Sequence, residues 1–225
     1  MFGIRTIGCA AILMLAAPAQ AQDNGSQTAN AALEHVKAGR HDAALKLLDL
    51  AIDAYARQYA SEKRVIYCAG SPAETVYYMG EAAAAKKSAV AIDPGWCKVL
   101  WTKGYTLVDR KEYAAALPFL EQAVQMAPSH SHYLAELGYA YQALHDWPKS
   151  YATYARAAAS AELSEAEYHD EDLGRGWRGM GFSLIEMGKL DEAEALFKKA
   201  IALDPNDEKS KNELKYIAEQ RAKRS

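Results

Sequence analysis

The sequence predicts an all-α fold, a solenoid of antiparallel helix pairs with a capping helix at its C-terminal end. Three observations predict it. First, residues recur at fixed distances. Pro94 and Pro128, Gly104 and Gly138, and Ala123 and Ala157 are each 34 apart, while Gly138 to Gly181 and Ala157 to Ala200 are each 43. Second, apolar residues inside each unit return every three or four positions, the period of a helix with one buried face. Third, glycine holds the same slot in three units, although a glycine inside a helix costs roughly 0.5–1 kcal/mol relative to alanine. The economical explanation is steric, with another helix too close for a β-carbon.

The elements follow in order. Residues 1–21 read as a secretory signal peptide rather than as fold. Arg5 is their only charge, an apolar run from Ile7 to Ala17 follows, and Ala19-Gln20-Ala21 forms an A-x-A cleavage site. The run is too short for a bilayer, which needs about 20 apolar residues. Cys9 precedes most of it, which argues against a lipoprotein anchor. No later stretch is apolar for long enough to cross a membrane, so the expected location is periplasmic or secreted. Cleavage after Ala21 leaves two cysteines, Cys68 and Cys97. An even pair in an exported chain is a candidate disulfide, and two buried free thiols are the alternative.

Residues 22–96 read as degenerate helical repeats. Gly39-Arg40-His41-Asp42-Ala43-Ala44, followed by Leu47, Leu48 and Ala51, resembles the turn and second helix of one unit. Ser71-Pro72-Ala73-Glu74 is a helix start, with serine as cap and glutamate at the reciprocal position. The helix it opens is read as running unbroken to Ile92, with 63–71 as a loop or short extended piece. Three better units occupy 97–130, 131–164 and 174–207, with an insertion at 165–173. In it, His169-Asp170-Glu171-Asp172 reads as a solvated acidic loop or as an extra turn added to a helix N-terminus, with Ser164-x-x-Glu167 as a capping box for such an extension. Residues 208–225 read as a capping helix with Leu214, Ile217 and Ala218 on its packed side. Lys215, Arg221, Lys223 and Arg224 read as a solvated basic tail.

Unit 174–207 carries Trp177, Gly181, Leu184, Ala193, Phe197, Ala200 and Pro205, with a turn at Met187-Gly188-Lys189. Unit 97–130 matches it with Gly104, Leu107, Ala116, Leu120 and Ala123, and unit 131–164 with Leu137, Gly138, Tyr141, Tyr154 and Ala157. This pattern resembles the tetratricopeptide repeat family. Leu100 stands where the family has its first aromatic, Ser150 where a small alanine is usual, and Glu162 where proline is usual. The resemblance implies a right-handed solenoid whose concave face is lined by the first helix of each pair. Carried over slot by slot, that face presents Lys98, Trp101 and Tyr105, then His132, Ala135, Tyr139 and Gln142, then Arg175, Arg178 and Phe182. The three- and four-residue spacing places each set on one helix face.

Composition bounds function. Half the residues are hydrophobic and 24% are charged, which excludes wholesale disorder. A formal charge of −3 argues against nucleic-acid binding. The chain has no glycine-rich phosphate loop, no G-x-S-x-G and no H-E-x-x-H, so no enzyme, metal or cofactor is expected. His130 and His132 read as part of a polar turn, because a metal needs three or four suitably spaced ligands. The expectation is an exported adaptor that binds a peptide or protein. Lys98, Arg175 and Arg178 beside aromatics suit an acidic or carboxylate-bearing guest. The alternative for Trp101, Tyr105 and Tyr139 is packing against neighbouring helices. The rival functions are a self-associating subunit of an envelope complex, and a small-ligand or metal-binding protein using the histidines or the insertion.

Overall fold

The computed structural model describes residues 24–223; the export segment expected at 1–21 and Arg224 of the basic tail lie outside them. The fold is a right-handed solenoid of helix hairpins. Four hairpins follow one another: α1 (Asn24–Lys37) with α2 (His41–Gln58), α4 (Gly95–Asp109) with α5 (Tyr113–Met126), α6 (Ser131–Ala143) with α7 (Trp147–Ser160), and α8 (His169–Glu186) with α9 (Leu190–Leu203). A last helix, α10 (Glu208–Ala222), packs on α9 and α8.

Each hairpin turns in the same way. Gly39, Lys111, His145 and Gly188 have φ between 62° and 76°. At each, two backbone N–H groups return to the last turn of the first helix, as in Gly188 N–H to Ile185 and Lys189 N–H to Leu184. That double return satisfies the helix's free carbonyls and requires the left-handed conformation. Two of the four residues are not glycine, so glycine spacing alone locates only half of these turns.

The glycines Gly104, Gly138 and Gly181 are wedged, but inside hairpins rather than between them. A β-carbon on Gly104 would lie 2.4 Å from Leu120, on Gly138 2.9 Å from Tyr154, and on Gly181 2.7 Å from Phe197. Each contact is to the partner helix of the same pair. Two other glycines open the seam between neighbouring hairpins. A β-carbon on Gly176 of α8 would lie 2.7–2.9 Å from Ala158 of α7, backbone included, and one on Gly179 would lie 2.3 Å from the Tyr154 ring. Across the same seam the buried Ser150 and Ser183 hydroxyls are hydrogen-bonded at 2.9 Å. Ser150 thus stands in an alanine slot because it has a partner.

Residues 59–94 depart from the helical-repeat expectation. Strand β1 (Val65–Cys68), helix α3 (Pro72–Ala84) and strand β2 (Ala89–Ile92) form a small βαβ unit, with β1 and β2 parallel in the register Val65↔Ala89 to Cys68↔Ile92. The α3 helix therefore does not run to Ile92. It ends at Ala84, Lys86 takes φ 54°, and Lys86 and Lys87 N–H return to Ala83 and Ala82. The β-branched pair Val90 and Ile92 then lies opposite Ile66 and Cys68, a pairing between segments that helical periodicity does not register. Ser71 caps α3 at Glu74 N–H, while the Glu74 carboxylate accepts from Gly70 N–H at 2.6 Å.

The solenoid continues past this insert. Helices α1 and α2 both pack on α4, and a β-carbon on Gly25 would lie 2.7 Å from the Gly95 backbone. Trp96 is stacked between Tyr55 and Tyr59, at 5.6 and 5.4 Å. Cys68 of β1 and Cys97 of α4 are joined in a disulfide, Cα to Cα 6.1 Å, which pins the insert to the repeat that follows.

Two further expectations change at the C-terminal half. The 165–173 insertion lengthens α8, but Ser164 and Glu167 form no capping box. Tyr168 precedes the helix without a side-chain cap, and Ser164 Oγ donates to Asp172 at 2.7 Å instead. Arg221 is not a free tail residue either, since it pairs with Asp191 and Glu194 of α9. Leu214 and Ile217 pack inward as expected, and Ala218 is exposed.

Candidate functional site

First helices α6 and α8, together with α10, enclose a groove of about 650 Å³. Seven of the residues picked out by slot meet in it: His132, Ala135, Tyr139 and Gln142 from α6, and Arg175, Arg178 and Phe182 from α8. They share the groove because α6 and α8 hold equivalent places in successive hairpins. Gly176 and Gly179 let the intervening α7 come close, so α6 and α8 also touch. Helix α10 supplies the far wall with Lys209, Asn212 and Glu213.

The α4 residues take different places. Trp101 is only 8% exposed and lies against Tyr105, Tyr133 and His132, with ring centroids 5.5, 5.8 and 4.9 Å away. It is therefore no open anchor, and the packing alternative holds for it. Tyr105 is half-buried on its face, and Lys98 is half-buried outside the groove lining. Tyr139 is 43% exposed and edge-on to Tyr113, and Phe182 leans on Trp147 at 6.2 Å. Of the groove's rings Tyr139 is the exposed one, and Phe182 is half-buried.

Both arginines are already engaged. Arg175 bonds Glu171 and the Nδ1 atom of His132, with Asp172 3.6 Å away. Arg178 donates to Asp207 at 3.0 Å. Asp207 is buried and caps α10, accepting from Ser210 N–H at 3.1 Å and Ser210 Oγ at 2.6 Å. Burial alone would raise the Asp207 pKa, but the bonds from Ser210 and Arg178 more than reverse this and hold it below the usual aspartate value. The exposed binding charge expected at Arg178 is thus a structural one. Arg178→Gln is expected to cost roughly 1–2 kcal/mol, the loss of a charged hydrogen bond to a buried acid. Thermal unfolding and faster amide exchange in α10 would register it.

Glu136 of α6 also lines the groove and was not legible in the repeat pattern. It is half-buried and has no hydrogen-bond or ion-pair partner among the described residues. Burial pushes its pKa up to about 7, and Arg175 pulls weakly the other way. The folded state therefore prefers the acid form, and stability is lost as pH rises from the unfolded value near 4.5 through 7. Glu136→Gln stays neutral throughout. Its stability advantage over the parent is expected to widen by roughly 2 kcal/mol between pH 5 and pH 8, as read by urea unfolding at the two pH values.

A second cleft of about 410 Å³ shares the His132–Arg175 wall and lies between the βαβ insert, the α5–α6 turn and the 165–173 insertion. His130, stacked on Tyr133 at 3.7 Å, lines it. Burial, and then His132, push the His130 pKa down to about 4; burial and then Arg175 push His132 down as well. Both imidazoles are thereby biased toward the neutral form. No group of three or more His, Cys, Asp or Glu side chains placed to hold a metal occurs among the described residues.

The comparisons with known proteins agree with this architecture. Residues 174–207 and 98–130 each match the tetratricopeptide repeat family. No curated protein matches the chain in sequence. Similar solved structures include MamA 41-end from Desulfovibrio magneticus RS-1, with a TM-score of 0.58 at 16% identity over 89% of this chain and 86% of that one. The first TPR domain of human RPAP3 gives 0.51 at 20% identity, over 58% and 95%. A putative kinesin light chain from Podosopora anserina with nearly identical TPR-like repeats gives 0.53 at 14%, over 89% and 96%. At such identities these structures speak for the fold alone. The fold and its groove define an α-solenoid repeat protein. The chain carries tetratricopeptide repeats at 98–130 and 174–207.

Among the described residues no helix is long and apolar enough to cross a membrane.

Proposed function

We propose that this protein is an exported, non-catalytic adaptor that holds a peptide segment of a partner protein in the α6–α8–α10 groove. The tetratricopeptide fold makes it a protein-interaction scaffold, and the groove supplies the finer reading. The carrying observation is the exposed Tyr139 of α6 and the half-buried Phe182 of α8, which line one cleft together with hydrogen-bonding groups at Gln142 and Asn212. Interfaces concentrate binding energy on such aromatic anchors. Export, to a periplasmic or extracellular location, is supported by the A-x-A segment and by the Cys68–Cys97 disulfide, a bond at home in oxidising compartments.

Selection from a random peptide display library on the purified protein tests the groove. Enriched peptides are expected to lose about tenfold or more in affinity to the double variant Tyr139→Ala/Phe182→Ala, since each anchor contributes on the order of 1 kcal/mol or more. Undiminished binding to that variant would place the peptide elsewhere. Sedimentation over a range of concentrations should show a constant mass; a rising mass would favour the self-associating subunit.

A further inference from the structure

The groove's charge points to a guest of a different sign from the one its arginines suggest. Arg175 is held by Glu171, Asp172 and His132, and Arg178 by Asp207, so neither presents a free cation. Of the remaining charges, Lys209 and Glu213 lie on α10 at the far wall. Glu136 is on the α6 wall; of the two acids that α6 and α8 place in the groove lining, Glu171 is paired with Arg175, and Glu136 has no hydrogen-bond or ion-pair partner among the described residues. Three tyrosines stand within electrostatic reach of it: Tyr105 of α4, Tyr139 of α6 and Tyr154 of α7. Tyr154 is buried, and Tyr139 is open to solvent.

A carboxylate set among aromatic rings is a receptor for a cation. The rings attract an ammonium or guanidinium through their negative faces, and the carboxylate accepts its N–H groups. An unpaired carboxyl in a half-buried position is costly to its own fold, and an incoming cation removes that cost. Resting on the adaptor reading above, we infer that Glu136 receives a lysine or arginine side chain of the bound peptide, which enters beside Tyr139 while an apolar neighbour of the guest covers Phe182. The partner would then be a basic-aromatic or basic-aliphatic segment rather than an acidic or carboxylate-ended one.

The test repeats the display selection on the parent protein and on Glu136→Gln, a substitution of the same size whose folding is checked by circular dichroism. Peptides selected on the parent are expected to carry lysine or arginine at one position severalfold above the library frequency, and those selected on Glu136→Gln to carry it at the library frequency. In the best parental peptide, replacing that basic residue by alanine should weaken binding about tenfold on the parent and less than about threefold on Glu136→Gln, the signature of a direct pair. Peptides that need Tyr139 and Phe182 but show no basic preference, or keep it on Glu136→Gln, overturn this inference and leave the groove standing. Failure to enrich any groove-dependent peptide overturns both.

Discussion

Gly176→Leu is expected to abolish cooperative unfolding at room temperature, and Gly176→Ala to lower stability by about 2–3 kcal/mol. Alanine is the better helix former by roughly 1 kcal/mol, so propensity alone predicts the opposite sign. Sterics decide the matter. The added β-carbon would meet the Ala158 backbone nitrogen at 2.8 Å and its Cα at 2.9 Å. No rotamer relieves an overlap with backbone, so α8 must move away from α7, and overpacking of that kind costs on the order of 1–3 kcal/mol or more. The seam is the one that holds α6 and α8 around the groove, so the loss should reach function as well as stability. Gly80 is the control. It also lies inside a helix, α3, yet a β-carbon there would have nothing within 4 Å. Gly80→Ala is expected to stabilise by up to about 1 kcal/mol, the propensity gain undiluted. Urea unfolding of the three variants checks all the signs, and a neutral Gly176→Ala would show that the hairpins do not depend on that close approach.

Reduction of the Cys68–Cys97 disulfide is expected to cost about 3–4 kcal/mol. The bridge closes a sequence separation of 29 residues, and the chain-entropy relation gives a value of that size. For a chain of this length each kcal/mol moves the melting temperature by about 2–4 °C, so a fall of roughly 7–14 °C with dithiothreitol is the expected reading. The effect should be local in origin. The βαβ insert is a two-stranded sheet with one helix, too small for an independent core, and much of its hold on the solenoid passes through β1 and the bridge. Amide exchange after reduction should therefore quicken first between Val65 and Ile92. A melting temperature unmoved by dithiothreitol would mean that the packing of β1 on α4 and α5 suffices without the bond.

Repeat spacing and helical periodicity by themselves determined the hairpins from 97 to 207. Both are local consequences of a helix pair that buries one stripe against its neighbour, and the recurring glycines and alanines record where backbones come close. The same slots place His132, Tyr139, Arg175, Arg178 and Phe182 on inner helices, where the fold has them. The insert at 59–94 was legible only in part: the start of α3 at Ser71-Pro72 and an extended piece before it can be read from the chain, but not the end of α3 at Ala84 or the strand Ala89–Ile92. The pairing of β1 with β2 joins segments about twenty residues apart, and the short runs Val65–Cys68 and Ala89–Ile92 are compatible with either helix or strand until they meet. Nor could the sequence separate a free charge from an engaged one. Arg178 sits in an inner-face slot, but Asp207 reaches it only because α10 folds back over α8, and Glu136 stands without a partner among the described residues while Arg175 is bonded to Glu171. Slot on a helix is a property of the chain, whereas the partner of a charge depends on which distant segments the fold brings within hydrogen-bonding distance, and that is decided by tertiary packing alone.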